Sequence, residues 1–433
     1  PSPPPLPNEE PRRLLPHHFY GLLPKSGRML PPINSQASPD SVITKDDAVT
    51  FDALTDPASI WAALSRAHGG VAEVRLLRGS WIKEYAKTGK PLPRRQELEI
   101  ESPEAFLSVE ELQAVTVNTH PMRLGREGKL PIVVASYTWE EAGHPDPRGE
   151  QLAALAAAIE AEQSREDPLQ RLPNEVGVFM DWVSLCQKLR GPHETAAFTG
   201  ALQQMQLWYA HKLTTVFLLR NRTAFTAALP EGERPPSYDF RGWPTFERAC
   251  SSMVKTSVPW CWAPVVDVGH PETRRLPPLT PDKFEAVLDK CHFTNGKEDF
   301  DLVGWLYRKT VLGYFGHTTE IRVIGAGWGD EEVTTFAEVL PICNNVKSIS
   351  LNSNSIGDKG IAALASIFKV KGVLPNLQRL LLGGNKIGEA GAADLKEVIA
   401  SGGLPSCTLI NFVDNEASEA AQETVDEAIN NRN

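Results

Sequence analysis

The chain has 433 residues, 41% hydrophobic and 23% charged, enough to bury a sizeable core and to divide into two or three domains rather than stay disordered. Its 54 acidic against 44 basic residues leave a formal net charge of −10, which gives no electrostatic reason to approach nucleic acid or an anionic membrane. No apolar run approaches the roughly 20 residues needed to cross a bilayer, and Cys186, Cys250, Cys261, Cys291, Cys343 and Cys407 are too scattered for a structural zinc site. Free thiols in an intracellular, cytoplasmic setting are the expectation, with import into an organelle left open because the chain begins without Met.

Residues 1–45 are rich in Pro and Ser and read as an extended arm that orders only on a partner or on the rest of the fold. Residues 46–130 read as an N-terminal flank of a central domain. There Ile60, Trp61, Leu64 and Ala67 have helical spacing, and Val74 to Leu77 is a short strand candidate.

Residues 131–270 alternate short apolar runs with amphipathic helices. Ile132 to Ser136 predicts a strand, followed by the Pro/Gly loop Gly143 to Gly149 and a helix carrying Leu152, Leu155 and Ile159 on one face. Val176 to Met180 predicts a second strand. Phe198, Leu202, Met205 and Tyr209 mark a second helix, and Thr214 to Leu219 a third strand. Strands of this kind argue for an α/β domain with a parallel sheet covered on both faces, whose ligands bind beyond the carboxyl ends of the strands.

Residues 271–317 read as a helical linker, and residues 318–433 repeat. Val346 to Gly357 aligns with Leu377 to Gly388 at an offset of 31 residues (354 to 385), and each unit runs on into a helix. A degenerate earlier unit begins near Ile321, with Asp330 and Asp358 offset by 28, and a later one spans Leu409 to Asn415. The L-x-L-x-x-N core and this period are those of leucine-rich repeats of the ribonuclease-inhibitor-like type, in which Asn354 and Asn385 hold the turn after each strand. The first and last units are expected to have lost that Asn, as caps. Four units make a short wedge with a face for a protein partner.

The middle of the chain carries a further resemblance. Phe179-Met180-Asp181-Trp182-Val183-Ser184-Leu185-Cys186-Gln187, Glu194, Met205 with Trp208-Tyr209-Ala210, and Arg241-Gly242-Trp243-Pro244-Thr245-Phe246-Glu247 together resemble fungal heterokaryon-incompatibility domains. Those domains are similar to Toll/interleukin-1-receptor (TIR) domains, so the resemblance implies a flavodoxin-like parallel sheet with flanking helices. Enzymatic members of that group cleave NAD with a Glu four residues after a Trp, the position of Glu247 after Trp243.

The residues allow that reading and a plainer one. A Trp and a Glu at i and i+4 share a helix face, so Trp243 could wall a pocket into which Glu247 points; equally, Glu247 could pair with the loop containing Arg241. Asp181 and Ser184 could orient ribose hydroxyls, or Asp181 could cap the following turn. Ser136, Tyr137 and Trp139 leave the first strand at the same edge and could meet a nucleobase or pack on neighbouring helices. The Pro-rich insertion from Asn221 to Tyr238 could occlude such a pocket.

No metal set is recognisable and no cofactor is required, NAD entering only as a substrate. The leading expectation is a signalling or scaffold protein that recognises protein partners through its repeats and Pro-rich arm, with self-association open. The rivals are an NAD glycohydrolase and an accessory structural subunit of a larger complex.

Overall fold

A computed structural model describes residues 51–117, 129–255, 263–270, 275–294 and 296–432. The Pro-rich arm lies outside the described residues.

The described residues are mixed α/β, built mainly on a six-stranded and a four-stranded sheet. The larger has strands β1 (Leu76–Arg78), β2 (Phe106–Leu107), β3 (Ile132–Ser136), β4 (Gly177–Phe179), β5 (Thr215–Leu218) and β6 (Val265–Asp267). Their order is β2-β1-β4-β3-β5-β6. Strands β3 to β6 run parallel, whereas β1 lies antiparallel to both β4 and β2. Residues read as a flank thus add two strands to the sheet and cover what would otherwise be an open edge at β4.

Strand β3 is buried along its whole length, as its continuous apolar run requires. Its side chains still alternate between faces. Val133 and Ala135 join Leu77, Ile82, Leu152, Leu155 and Ile159, from the side where α1 (Gly79–Ala86) and α2 (Glu150–Gln163) pack. Ile132 and Val134 join the opposite cluster with Trp208, Tyr209 and Phe246. That second face is covered by α3 (Met205–Ala210) and α4 (Gly242–Val254).

The single helix expected over Phe198 to Tyr209 is two. Pro192–Leu202 ends at Gln203 and the chain restarts at Met205, which turns α3 so that all six of its residues are buried. Ala67, expected in a helix, instead opens a short antiparallel pair with Val71–Ala72, because the helix before it ends at Leu64.

Helix α4 is fixed at both ends. A Cβ on Gly242 would stand 1.9 Å from the Phe293 ring, so only glycine allows that approach. Just beyond the other end, the buried Lys255 ammonium donates to His211 O at 2.5 Å, Thr214 O at 2.7 Å and Thr214 Oγ1 at 2.8 Å, all in the turn before β5. Helices α5 (Pro281–Leu288) and α6 (Lys297–Phe315) pack behind α4.

The second sheet consists of β7 (Glu320–Arg322), β8 (Ser348–Ser350), β9 (Arg379–Leu381) and β10 (Leu409–Asn411), all parallel, with Ile321, Ile349, Leu380 and Ile410 in register. Each strand feeds a helix: α7 (Asp330–Ala337), α8 (Asp358–Phe368), α9 (Glu389–Ala400) and α10 (Glu419–Asn430). One apolar cluster runs from Phe246 and Phe315 into Ile321, Trp328 and Phe336, so α4 and α6 close the first repeat's end of the stack. Trp328 Nε1 also donates to Arg275 O at 2.8 Å.

An asparagine ladder spans the turns. Asn354 accepts from Ala326 N and Trp328 N, Asn385 from Ile356 N and Asn415 from Ile387 N, each bonding the preceding repeat. The last unit was expected to have lost this Asn, and it has not: Asn415 donates to Leu382 O at 3.0 Å and Phe412 O at 2.7 Å in the same manner. Only the first unit lacks it, with Ala326 in its place.

A second ladder, invisible to the L-x-L pattern, joins the helix N-termini. Asp330 Oδ1 accepts from Gly357 N and Gly360 N, and Asp358 Oδ1 from Gly388 N and Gly391 N. A carboxylate at a helix start suits the orphan N–H groups there. A Cβ on Gly360 or Gly391 would come within 2.8 or 2.7 Å of that carboxylate, so the glycines are part of the device.

Candidate functional site

Strand β3 has β4 on one side and β5 on the other, so the chain reverses its direction of progress across the sheet beside β3. Crevices at such a switch point, outside the carboxyl ends of the strands, are where open α/β sheets bind ligands. Ser136 is the last residue of β3 and pairs with Leu218 of β5. By the alternation of the strand its side chain faces α4.

There Ser136 Oγ donates to Glu247 Oε2 at 2.5 Å. Its hydroxyl oxygen in turn meets the Tyr238 hydroxyl, a pair in which either oxygen can donate. The Tyr209 hydroxyl bonds Glu247 from α3 and lies 3.3 Å from Ala135 O. Glu247 is therefore held by one serine and one tyrosine, with a second tyrosine behind the serine.

Among the described residues no cation pairs with it. Arg241 Nε donates to Pro236 O, and Arg248 NH1 pairs with Asp239 at 2.8 Å, so the loop pairing expected for Glu247 is not made. With 6% of its surface exposed, Glu247 has its acid pushed up to about 8 by burial, only partly offset by Ser136 and Tyr209. Burial likewise drives the Tyr209 and Tyr238 hydroxyls well above their usual range. With its acid raised by burial, Glu247 joins Ser136, Tyr209 and Tyr238 in one buried cluster of hydroxyl and carboxyl groups.

Trp243 lies one turn before Glu247, half-buried, with its ring edge-on to Phe246 at 6.0 Å. Phe246, Cys250 and Met253 fill the core side of α4.

Asp181, Ser184, Tyr137 and Trp139 form a separate set. Asp181 accepts from the Tyr137 hydroxyl, from Trp139 Nε1 at 2.9 Å and from Trp182 N at 2.7 Å. Burial raises its acid, and these three donors oppose the shift. Ser184 is fully buried and accepts from Met180 N at 3.0 Å, while Gln187 donates to Asp181 O and Leu185 O. These bonds shape the turn after β4. Tyr137 follows Ser136 but points to the other face, so one edge of the sheet carries two carboxyl groups with separate hydrogen-bond partners, close enough that the charge of Asp181 also raises the acid of Glu247.

A surface cleft opens over the same edge, lined by Thr138, Glu140, Arg220, Arg222, Ser237 and Tyr238 among others. Tyr238 is shared: it borders the cleft and bonds Ser136 beneath. Sequence reasoning had Tyr238 only as the end of an insertion, and Tyr209 as a helix-face residue within the stretch that carries the resemblance, with no partner named for its hydroxyl. A hydroxyl buried on an apolar face is the signal that was available, since a Tyr there needs a partner.

Among the described residues no group of three His, Cys, Asp or Glu side chains is placed to hold a metal, and no helix is long and apolar enough to cross a membrane. The Gly325 to Gly329 run is the turn of the first repeat, and Asn354 takes its Ala326 and Trp328 amides.

The family model described as Leucine Rich repeat matches residues 343–365, the span from the end of the first repeat into α8. The C-terminal part of the chain carries leucine-rich repeats. The match supports a protein–protein interaction role. No curated protein matches the chain. Among solved structures, "Leiomodin-1 Actin-Binding Site 2 (ABS2)" aligns at 16% identity with a TM-score of 0.24, covering 28% of this chain and 84% of that one.

Proposed function

We propose that this chain is a recognition protein of the signalling or scaffold kind, in which a TIR-like or heterokaryon-incompatibility-like α/β domain is fused to a repeat wedge that holds a protein partner. The repeat sheet carries the reading. Beside the inward Ile321, Ile349, Leu380 and Ile410, the alternate positions form a strip that bears Glu320 and Arg322, then the buried Ser348 and Ser350, then Arg379 and Leu381, then Leu409 and Asn411, with Arg379 and Leu409 exposed. Such a face gives a partner one apolar anchor within a rim of charge. In support of the α/β half, the parallel strands taken in chain order lie 2-1-3-4, the arrangement of flavodoxin-like sheets.

The test is a reversal of that strip. A partner recovered with the wild-type protein and rebuilt from purified components should lose at least about tenfold in affinity with Arg379→Glu plus Leu409→Asp, and keep it with Glu247→Ala. Equal binding by the strip variant would move recognition elsewhere.

One observation favours a second reading, an NAD glycohydrolase: a buried carboxyl fed by a serine at the switch point of the sheet. An uncharged Glu247 cannot stabilise the cationic sugar that forms as nicotinamide leaves, so turnover should rise with pH as Glu247 ionises near 8. Nicotinamide release at about pH 8.5 that vanishes in Glu247→Gln supports this reading. Release unchanged by that substitution removes it.

A further inference from the structure

Residues 220–241 lie across the edge where β3 and β5 end, and they are held there in an uneven way. One ring, that of Tyr238, is buried, and its hydroxyl rests on Ser136. The residues that follow it are not buried. Asp239 has a side chain 45% exposed and Phe240 is 58% exposed. Apolar burial therefore fixes this end of the segment at a single point, and the remaining hold is polar and ionic.

Backbone bonds join Phe240 O to His292 N at 2.8 Å and Gly242 N to His292 O at 3.1 Å where the segment enters α4, and the side-chain hold just before them is a clamp. Arg220, just past β5, pairs through NH1 with Asp267 at the end of β6 at 2.7 Å and through NH2 with Asp239 at 2.9 Å. Arg248, the residue after Glu247 on α4, pairs with the other oxygen of Asp239 at 2.8 Å. At its start the segment is pinned by Thr223 Oγ1 on Glu140 and by Ala224 N on Glu150 Oε2 at 2.5 Å. Arg222 NH1 on Pro235 O, at 2.7 Å, folds it on itself.

Asp239 thus ties the far end of the segment to two elements of the sheet domain, one residue after the buried ring.

We propose that 220–241 is a latched strap: Tyr238 fills the place beside Ser136 and Glu247 that a hydroxyl-bearing ring of a ligand takes when the strap lifts, and the Arg220–Asp239–Arg248 clamp is its latch. The ring and hydroxyl of Tyr238 define the ligand class, because a replacement must bring a hydroxyl on a flat or sugar-like ring to the hydrogen bond that Ser136 Oγ makes with the phenol. The cleft on the outer side of Tyr238 is the route by which it enters. The ligand class rests on reading Ser136 and Glu247 as a ligand site; the latch does not.

Local opening of this kind is governed by the few contacts that hold the segment, not by global stability. In a Ser136→Cys protein the introduced thiol sits behind Tyr238, so iodoacetamide reaches it only when the strap lifts. Adding Asp239→Asn should speed alkylation of that thiol at least about tenfold, followed by mass spectrometry of the peptide, while the buried Cys250 and Cys343 react at unchanged rates. Salt at about 0.5 M should speed alkylation of the introduced thiol in the clamped protein and change little once Asp239 is replaced.

Where Ser136→Cys does not fold, hydrogen exchange in the unmodified chain and in Asp239→Asn reads the same event: the amides of 231–241 should exchange at least about tenfold faster in the variant and those of β3 should not. Equal rates with and without Asp239, or Cys250 accelerating in step with the introduced thiol, would overturn the latch. Absence of nicotinamide release from Asp239→Asn with Ser136 intact, in a protein whose 231–241 amides exchange faster, would remove the glycohydrolase and leave the strap standing.

Discussion

Glu247→Gln should stabilise the protein at about pH 8.5 by several kcal/mol and leave it nearly unchanged at about pH 4.5. The wild-type acid is pushed from 4.5 to about 8 by burial, so between those values the folded chain keeps a proton that the unfolded chain has released. Stability then falls as pH rises, by about 1.4 kcal/mol per unit, and about 5 kcal/mol is lost across the window. The contribution is fully present below 4.5 and gone above about 8. An amide cannot ionise, yet it can accept from Ser136 and keep a donor for its other neighbours, so the variant retains the low-pH stability throughout.

His211 shapes the same curve with the opposite sign. Its Nδ1 accepts from Leu213 N and its Nε2 faces Asp56 O, an arrangement of the neutral ring, and burial lowers it from 6.5 to about 4. Its contribution is present above 6.5 and lost as pH falls through about 4. Between 4.5 and 6.5 the two groups nearly cancel, so the wild type should show a plateau there and a decline from 6.5 to about 8. Glu247→Gln should instead gain stability up to 6.5 and then stay level. Urea unfolding followed by tryptophan fluorescence at about pH 5, 6.5 and 8.5 reads both curves, and parallel curves would mean that Glu247 is charged in the fold.

Sequence pattern reached the skeleton of this protein more easily than its contacts. Ile132 to Ser136 and Thr214 to Leu219 announce buried strands because a strand covered on both faces has no polar alternation to hide it. Val74 to Leu77 reads as a strand candidate, and the strand runs Leu76–Arg78; Phe106–Leu107 is too short to show a period, and the antiparallel pairing of Leu77 with Val178 of β4, far along the chain, follows from nothing local.

The repeats were legible because Asn354 and Asn385 recur with the strand that they serve. Asp330 and Asp358 recur as well, but their work on the next helix becomes clear only once the helices stack. Glu247 was found through its spacing from Trp243, yet the partner that defines it is Ser136, 111 residues earlier, and no local pattern joins them. Which face Ser136 takes follows from the alternation of β3; that a tyrosine from the insertion would rest on it does not follow from anything local.

Asn354→Ala should cost about 3–4 kcal/mol, more than Asn385→Ala and far more than Asn415→Ala, although the three residues occupy one repeat position. Asn354 accepts two buried amides, Ala326 N at 3.0 Å and Trp328 N at 3.1 Å, and donates to Val323 O at 2.7 Å and Leu351 O at 2.9 Å. Asn385 and Asn415 each accept one amide. Orphaning a buried donor costs about 1–3 kcal/mol, so two stranded N–H groups put Asn354 first, and the fuller burial of the Ile356 amide than of the Ile387 amide puts Asn385 above Asn415.

Position sets what the loss does. In a stack each unit is stabilised by its neighbours, and Asn415 has a neighbour on one side, so its loss should fray β10 and α10 without moving the main unfolding transition. Asn354 ties the second repeat to the first, whose Trp328 and Phe336 share one core with Phe246 and Phe315 of the sheet domain. Its loss should therefore lower the midpoint of both parts together. A urea transition that splits in Asn354→Ala, with the sheet domain unfolding at its wild-type midpoint, would show that the shared core does not couple the repeats to the domain that holds Glu247.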